Sequence, residues 1–497
     1  MSLEIYNSIS RKKEKFVPVE KGKVKMYVCG MTVYSDAHIG HARTYFAFDV
    51  IRRYFEYKGY KVTYVQNITD VDDKIIAAAN KEKTDPLEYS RRFTEICLGD
   101  LDKLGIRRAD LYPKASETIP DMIEMTQEII NKGYGYVSDG DVYFSVEKFD
   151  DYGKLSGQKI DEMKVGARIE PDEQKCNPLD FALWKKAKPG EPSWKSPWGQ
   201  GRPGWHIECS TMSSKYLGLP FDIHGGGMDL RFPHHENEIA QAEAATGKQF
   251  AKYWMHIGLL TINGEKMSKS LGNIVNVKDL LRTWDSEVIR MFFAQTHYRS
   301  PPDYNEKALT DVKKGLEKIY RLKERLEELS RNAKVEKIDE KKLGAEDKRY
   351  LEEIKEFQEQ FEQAMNDDFN TPKAFAVLFE FVNKSNKYLE GKQNESLCAH
   401  ALDTLSKLGN ILTLFQPKAT GASDESALVK KLQTVIWQYE KNFNKTSVEE
   451  LLSAILNERE KARKEKAWKV ADKIRKELED IGFEIQDTDV GPVWRKK

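Results

Sequence analysis

Residues 24 to 67 read as strand, helix, strand, and that order leaves few architectures open. VKMYVCG is β-rich, HARTYFAFDVIRRYFEYKGY carries an amphipathic repeat stopped by Gly59, and KVTYVQNI is β-rich again. Strands joined through a helix run parallel, and a parallel sheet needs helices on its faces. The chain is therefore expected to be α/β with a Rossmann-like parallel sheet.

Further along, that sheet is split. From about 115 to 200 short strand-like pieces interrupt the βα pattern and end in PGEPSWKSPWGQGRPGW, which reads as an insertion. The βα pattern returns with FDIHGGG and HHENEIAQAEAATG, and LLTINGEKMSKSLGN follows as a strand feeding a loop bounded by glycines. After Tyr304 the chain turns helical: Leu316, Ile319, Leu322, Leu326 and Leu329 place an apolar stripe at three- and four-residue steps. QPKATGASDES, at 416 to 426, reads as a linker before a small terminal unit.

Charge names no partner, because 80 Lys+Arg stand against 80 Asp+Glu. Hydrophobic residues at 40% and charged residues at 32% exclude global disorder. With no run near the ~18 apolar residues of a membrane span, and no apolar centre in MSLEIYNSISRKKEKF, a cytoplasmic protein without membrane contact is expected. Five scattered cysteines without a CxxC pair argue against disulfides, so a functional cysteine would be a reduced nucleophile or a metal ligand.

Two segments suit phosphate. His38-Ile39-Gly40-His41 opens the first helix, where unpaired N–H groups face an anion, both histidines share one face, and Gly40 admits a flat ligand. Lys266-Met267-Ser268-Lys269-Ser270 puts two lysines between Gly264 and Gly272, as point charges for a leaving pyrophosphate. Each alone is more often an ordinary helix start or a solvated loop. Together, after a first strand and a few hundred residues apart, they resemble the HIGH and KMSKS signatures of class I aminoacyl-tRNA synthetases.

Cys29, Cys209, His234 and Glu238 form a possible ligand set, with His234 and Glu238 one helical turn apart on one face and His235 rotated off it. Two thiolates, an imidazole and a carboxylate suit tetrahedral zinc, although dispersed cysteines are usually small buried hydrophobes. Their surroundings settle the reading by resemblance. Cys29-Gly30-Met31-Thr32, WHIECS, HGGGMDLRFPHHENE, His256-Ile257-Gly258 with KMSKS, DYGKLSG, DDFNTP and ADKIRKEL all resemble segments of the cysteinyl-tRNA synthetase family, over essentially the whole chain.

That resemblance implies ATP-dependent activation of L-cysteine to cysteinyl-adenylate and transfer to the 3′-terminal adenosine of tRNA(Cys), with Mg²⁺ accompanying ATP. It matches Cys29, Cys209, His234 and Glu238 to the ligands of one zinc per chain that binds the substrate thiolate. Size alone separates cysteine from serine poorly, by ~1–3 kcal/mol, whereas a metal that prefers thiolate separates them by coordination. Catalysis falls to His38, His41, Lys266 and Lys269, and ATP contacts to these together with Gly40, Gly225, Gly226, Gly227, Met267, Ser268 and Ser270. Gly30, Thr32, Thr69, Trp205, His206, His224 and Asp229 are candidates for the cysteine pocket, Trp205 as its wall and Asp229 for the ammonium. For Trp205, His206 and His224 a structural role is an equal alternative.

Nine basic residues against three acidic ones lie between Arg459 and Lys476, around Trp468, and the chain ends Trp494-Arg495-Lys496-Lys497; aromatics beside cations suit splayed RNA bases. Where the family usually ends Gly-Thr-Thr-Trp-Arg, this chain has Gly491-Pro492-Val493-Trp494-Arg495. The expected plan is a Rossmann catalytic domain over 1–114 and 201–250, a connective insert over 115–200 and a KMSKS-loop region contacting the RNA stem over 251–304. A helical tRNA-binding domain over 305–415 and an anticodon-binding domain over 427–497 complete it, in a monomer. Two rivals remain at this stage: a ligase passing cysteine to an amino sugar, and a catalytically silent RNA-binding or zinc-sensing relative.

Overall fold

The structure, a computed structural model, describes residues 2–158, 175–268, 271–331, 333, 338–391, 393–416, 422–440, 443, 447–488 and 491–496. Its centre is a parallel sheet built from both halves of the split sequence. Strand β1 (Lys23–Val28) is followed by α1 (Ile39–Tyr57) and β2 (Lys61–Gln66); after the insertion come α2 (Trp205–Leu217), β3 (Phe221–Gly227), α3 (His234–Thr246) and β4 (Ala251–Ile257). The strand order is β4-β3-β1-β2, every pair parallel, with Ile223 opposite Met26 and Val24 opposite Val62. The chain leaves β1 toward one edge and β3 toward the other, so β1 and β3 flank a topological switch point.

Alternation along β1 feeds two cores. Met26 and Val28 pack toward α1, with Tyr64 and Met255, while Tyr27 and Cys29 face α2 and α3, with Ile207, Met212 and Trp254. Strands buried on both faces explain why VKMYVCG reads as a near-continuous apolar run.

Between β2 and α2 lie the helix Ile119–Asn131 and a five-stranded antiparallel sheet from Gly135 to Pro203. Its strand Gly199–Pro203 runs straight into Gly204, the N-cap of α2. A Cβ on Gly204 would sit 2.0 Å from the Ala182 carbonyl oxygen, so glycine is required where the insert's sheet delivers the chain to α2.

The predicted apolar stripe lies on the helix Glu306–Leu329, which buries Leu309, Val312, Leu316, Ile319, Leu322 and Leu326 and half-buries Leu329. With Ala345–Asn366, Thr371–Tyr388 and Glu395–Ile411 it shares the core that includes α1. Met1–Pro417 form one compact unit and Lys418–Lys497 a second. The second has its own core of Leu432, Ile436, Leu451, Ile455, Ile474 and Phe483, drawn from three helices and a hairpin, Phe483–Thr488 with Gly491–Lys496. Among the described residues no helix is long and apolar enough to cross a membrane.

Candidate active site

A cavity of ≈ 390 Å³ opens at the switch point, beyond the carboxyl ends of β1 and β3. Its lining includes Cys29, Thr32, His38, His41, Trp205, Asp229 and Lys266, so segments more than 200 residues apart in sequence meet there. β1 and β3 are stitched together at its floor, where the Cys29 N–H donates to the Gly225 carbonyl at 3.0 Å. Gly225 cannot carry a side chain, because its Cβ would lie 2.1 Å from the Phe48 ring.

Beneath the cavity the four proposed ligands converge. The sulfurs of Cys29 and Cys209, a His234 ring nitrogen and a Glu238 carboxylate oxygen all lie within 4.8 Å of one another, and all four residues are buried. Sγ of Cys29 is 3.7 Å from Sγ of Cys209 and 3.4 Å from Oε1 of Glu238, while His234 Nε2 is 3.0 Å from the same Oε1. Two sulfurs bound to zinc at ~2.3 Å and a tetrahedral angle stand about 3.8 Å apart, far beyond a disulfide bond. This donor set fits a metal ion. Behind it, His224 Nε2 is 2.7 Å from Oε2 of Glu238, so the carboxylate is held from the rear while Oε1 faces the thiols. The Trp205 ring stacks on His234 at 4.2 Å, and His206 Nδ1 approaches His234 Nδ1 at 2.8 Å.

Electrostatics in this cluster split the donors. Burial raises the Cys29 thiol well above its ordinary range, and its contacts with Cys209 and Glu238 add to that. For Cys209 burial also pushes upward, but the hydrogen bond from Cys29 and the neighbouring His234 outweigh it and bring the thiol down to about 6. Burial disfavours the His234 cation, yet Glu238 and Cys209 hold it up to about 10. Glu238 stays well below the usual carboxylate range, since His224 and His234 overcome its burial. The shifts thus favour the anions of Cys209 and Glu238 and the protonated forms of Cys29 and His234.

At the mouth, His38 caps α1 in an arrangement the sequence did not reveal. Nδ1 of His38 accepts from the His41 N–H at 3.3 Å and Nδ1 of His41 accepts from the His38 N–H at 3.4 Å, a capping box made by two histidines. In the neutral rings both Nδ1 atoms are acceptors, so each proton sits on Nε2. The rings stack at 3.6 Å, and Gly40 lies under both His38 and Met267, where a Cβ would crowd the His38 ring and the Met267 methyl at 3.1 Å.

The remaining predicted residues fall into three places. Gly30, Thr32, Gly40, Gly227, Asp229 and Met267 line the cavity. Thr69, His206, His224, Gly225 and Gly226 are not among the lining residues; the Thr69 hydroxyl bonds Glu208 at 2.9 Å and receives the Asn67 amide at 3.2 Å, which places it behind the wall. Lys269 and Ser270 lie outside the described residues, and Ser268 donates its N–H to Asn273 at 2.8 Å. In the second unit Trp468 is 57% exposed, while Trp494 and Arg495 pair with Ile485 and Glu484 along the hairpin, their side chains outside the described residues. Lining residues that sequence reasoning passed over include Tyr34, Arg43 and Lys74. Arg43 was legible in part as a cation on an otherwise apolar helix face: it is buried, and its guanidinium donates to the carbonyls of Gly258, His297 and Ser300.

Fold and cavity define a class first. The chain is similar in structure to methionyl-tRNA synthetase of Mycobacterium tuberculosis in complex with methionyl-adenylate, at a TM-score of 0.60 and 16% identity over 83% of this chain and 94% of that one. Arginyl-tRNA synthetase of Thermus thermophilus is similar at a TM-score of 0.53 and 12% identity, over 83% and 84%. That is the class I synthetase fold. Residues 15–314 match the family model of the class I (C) tRNA synthetase catalytic domain, 360–416 the DALR domain and 448–495 the cysteinyl-tRNA ligase anticodon binding domain. The cysteine–tRNA ligases of Thermococcus gammatolerans and Aquifex aeolicus are 48% and 46% identical, each over 100% of this chain and 99% of the relative. The chain belongs to the cysteinyl-tRNA synthetase family.

Proposed function

We propose that the protein is a cysteine–tRNA ligase that forms cysteinyl-adenylate from L-cysteine and ATP and passes the cysteinyl group to tRNA(Cys). The observation that carries this reading is the convergence of Cys29, Cys209, His234 and Glu238 under a cavity whose mouth holds His38, His41 and Lys266. Held on those four residues, Zn²⁺ supplies a centre that takes a thiolate in preference to a serine hydroxyl. Around it the chain does the positioning: Asp229 faces the substrate ammonium, Trp205 walls the pocket, and Gly30 and Thr32 border the cysteine backbone.

The cysteine carboxylate attacks the α-phosphate of ATP, the bond to the bridging oxygen breaks, and pyrophosphate leaves; Mg²⁺ bound with ATP would help to neutralise its charge. Nε2–H donors from His38 and His41, with Lys266 and Lys269, stabilise charge on the transferring and leaving phosphates. A ribose hydroxyl of the terminal adenosine then attacks the adenylate carbonyl and AMP departs. No covalent enzyme intermediate is needed; orientation and electrostatics carry the rate. The helical region and the terminal unit, with Trp468, Trp494 and Arg495, receive the RNA. This is also what separates the reading from an amino-sugar ligase. On the same reading the enzyme acts as a monomer in the cytoplasm.

Cysteine-dependent ATP–pyrophosphate exchange, run beside serine and after chelation, tests it. Exchange with cysteine but not serine, lost on chelation and restored by zinc, is expected, with charging of tRNA(Cys) as the second arm. Folded, zinc-replete protein without exchange would sink the enzyme reading in favour of a silent RNA-binding relative.

A further inference from the structure

The segment that carries Lys266 is tied down at two levels. On its far side, residues 275–277 pair with residues 37–39: Ile39 N–H donates to the Val275 carbonyl at 2.9 Å, Val277 N–H donates to the Ala37 carbonyl at 2.9 Å, and His38 and Asn276 form an antiparallel bridge. The ion pair Lys278–Asp36, at 2.5 Å, closes this seam. The histidine segment and the downstream limb of the lysine loop are thus one hydrogen-bonded piece. Gly264 and Gly272 sit at φ +80° and +64° with open space around them, so the loop's ends are turned by backbone conformation rather than by packing.

Among the described residues, the carboxamide of Asn273 joins the upstream limb to this piece, beside the Leu271 N–H that donates to the Ser268 hydroxyl at 3.3 Å. Asn273 Oδ1 accepts the Ser268 N–H at 2.8 Å and its Nδ2 donates to the Lys266 carbonyl at 3.1 Å. Both arms are spent on backbone, which fixes the direction in which the Lys266 side chain leaves the loop. Met267 is thereby held over Gly40, within 3.1 Å of where a Cβ there would lie.

We propose that Asn273 is a positioning residue for adenylate formation, clasping the Lys266 backbone to a stem that is continuous with the His38–His41 cap. This rests on the adenylate-forming reading above. The carboxamide touches no substrate; it sets where the Lys266 charge stands relative to the two Nε2–H donors, and a misplaced charge forfeits transition-state stabilisation while leaving ground-state binding of the amino acid intact.

Asn273→Ala should lower the exchange kcat by about tenfold to a hundredfold and leave the KM for cysteine within about twofold. In a Lys266→Ala background it should add less than about twofold, because its effect passes through that lysine. Asn273→Asp, nearly isosteric but unable to donate to the Lys266 carbonyl, should shift kcat in the same direction and guards against a folding artefact. A readout free of activity is trypsin cleavage after Lys266 in protein without substrates, which should quicken several-fold in Asn273→Ala while the unfolding midpoint holds. Unchanged kcat, multiplicative losses in the double variant, or unchanged cleavage would overturn the clasp. If the wild type itself shows no cysteine-dependent exchange, the functional reading fails, and the cleavage assay alone then decides the clasp.

Discussion

His41 caps α1 and, on the proposed mechanism, also meets phosphate, two roles that can be separated by their size. As the third helical residue of α1 it completes a capping box, an interaction worth about 1 kcal/mol of helix stability. As the proposed Nε2–H donor at a developing phosphate charge it is expected to contribute far more, of the order of 10²–10³ in kcat when removed. His41→Ala should therefore lower the exchange rate by that larger factor while the unfolding free energy falls by only about 1 kcal/mol; steady-state exchange and a urea titration on the same sample check both. The spacing of two histidines across Ile39 and Gly40 was legible as an anion-facing helix start. Their mutual capping was not, because Ser35 and Asp36 are the more usual caps and nothing in sequence says that a histidine will displace them. Thr69 shows another side of this: its hydroxyl reads as a substrate contact, and the structure adds a partner that spacing could not announce, the buried Glu208 at 2.9 Å, 139 residues away.

Among elements, the DDFNTP turn shows what a linear reading misses. Asp368, buried and at φ +59°, accepts hydrogen bonds from Tyr6 N–H at 2.9 Å, Tyr298 Oη at 2.7 Å and Arg299 Nε at 2.8 Å. It pins the helical region to the short strand Glu4–Asn7, ahead of β1, and to the segment after the lysine loop. The partners lie up to 362 residues away, so no periodicity or spacing announces them. Removing one side of a buried charged network costs several kcal/mol, and Asp368→Ala should lose about 3 kcal/mol in a urea titration. His297 belongs to the same junction: its Nε2 donates to the Asp368 carbonyl at 2.9 Å and its Nδ1 accepts from the Arg299 N–H at 3.3 Å, which leaves the neutral ring fully used. Burial holds its pKa below the usual histidine value although Asp368 pulls the other way. The unfolded chain then takes up a proton near pH 6.5 before the folded one does, so this contribution is whole above that pH and lost as pH falls through it. His297→Gln should lie furthest below the wild type in unfolding midpoint at pH 7.5 and close the gap toward pH 5. By contrast the strand-helix-strand opening and the apolar stripe from Leu316 to Leu326 were legible because both are local: each is set by a repeat of two or of three and four residues along one element.

Over the whole molecule, the chain is two units with separate cores, and the proposed function places the chemistry in the first and RNA contacts in both. Every described residue of the cavity and the ligand cluster lies before residue 418, whereas the second unit contributes none. Its core is closed by its own three helices and hairpin, and residues 448–495 match the anticodon binding domain. On the proposed function, activation of cysteine needs only the first unit, whereas charging also needs the second unit to bind RNA, an interaction dominated by phosphate contacts and therefore salt-dependent. A chain ending at residue 417 should accordingly keep cysteine-dependent exchange at close to the full-length kcat and KM, while its kcat/KM for charging tRNA(Cys) falls by at least about tenfold, the loss of a few phosphate and stacking contacts at ~1–3 kcal/mol each. Trp468→Ala in the full chain should move charging in the same direction, through KM for tRNA and not through exchange, since its ring is exposed and removing it leaves the core of Leu432, Ile455 and Ile474 untouched. If truncation abolished exchange as well, the terminal unit would have to support the cavity, and the division of labour drawn from the separate cores would be wrong.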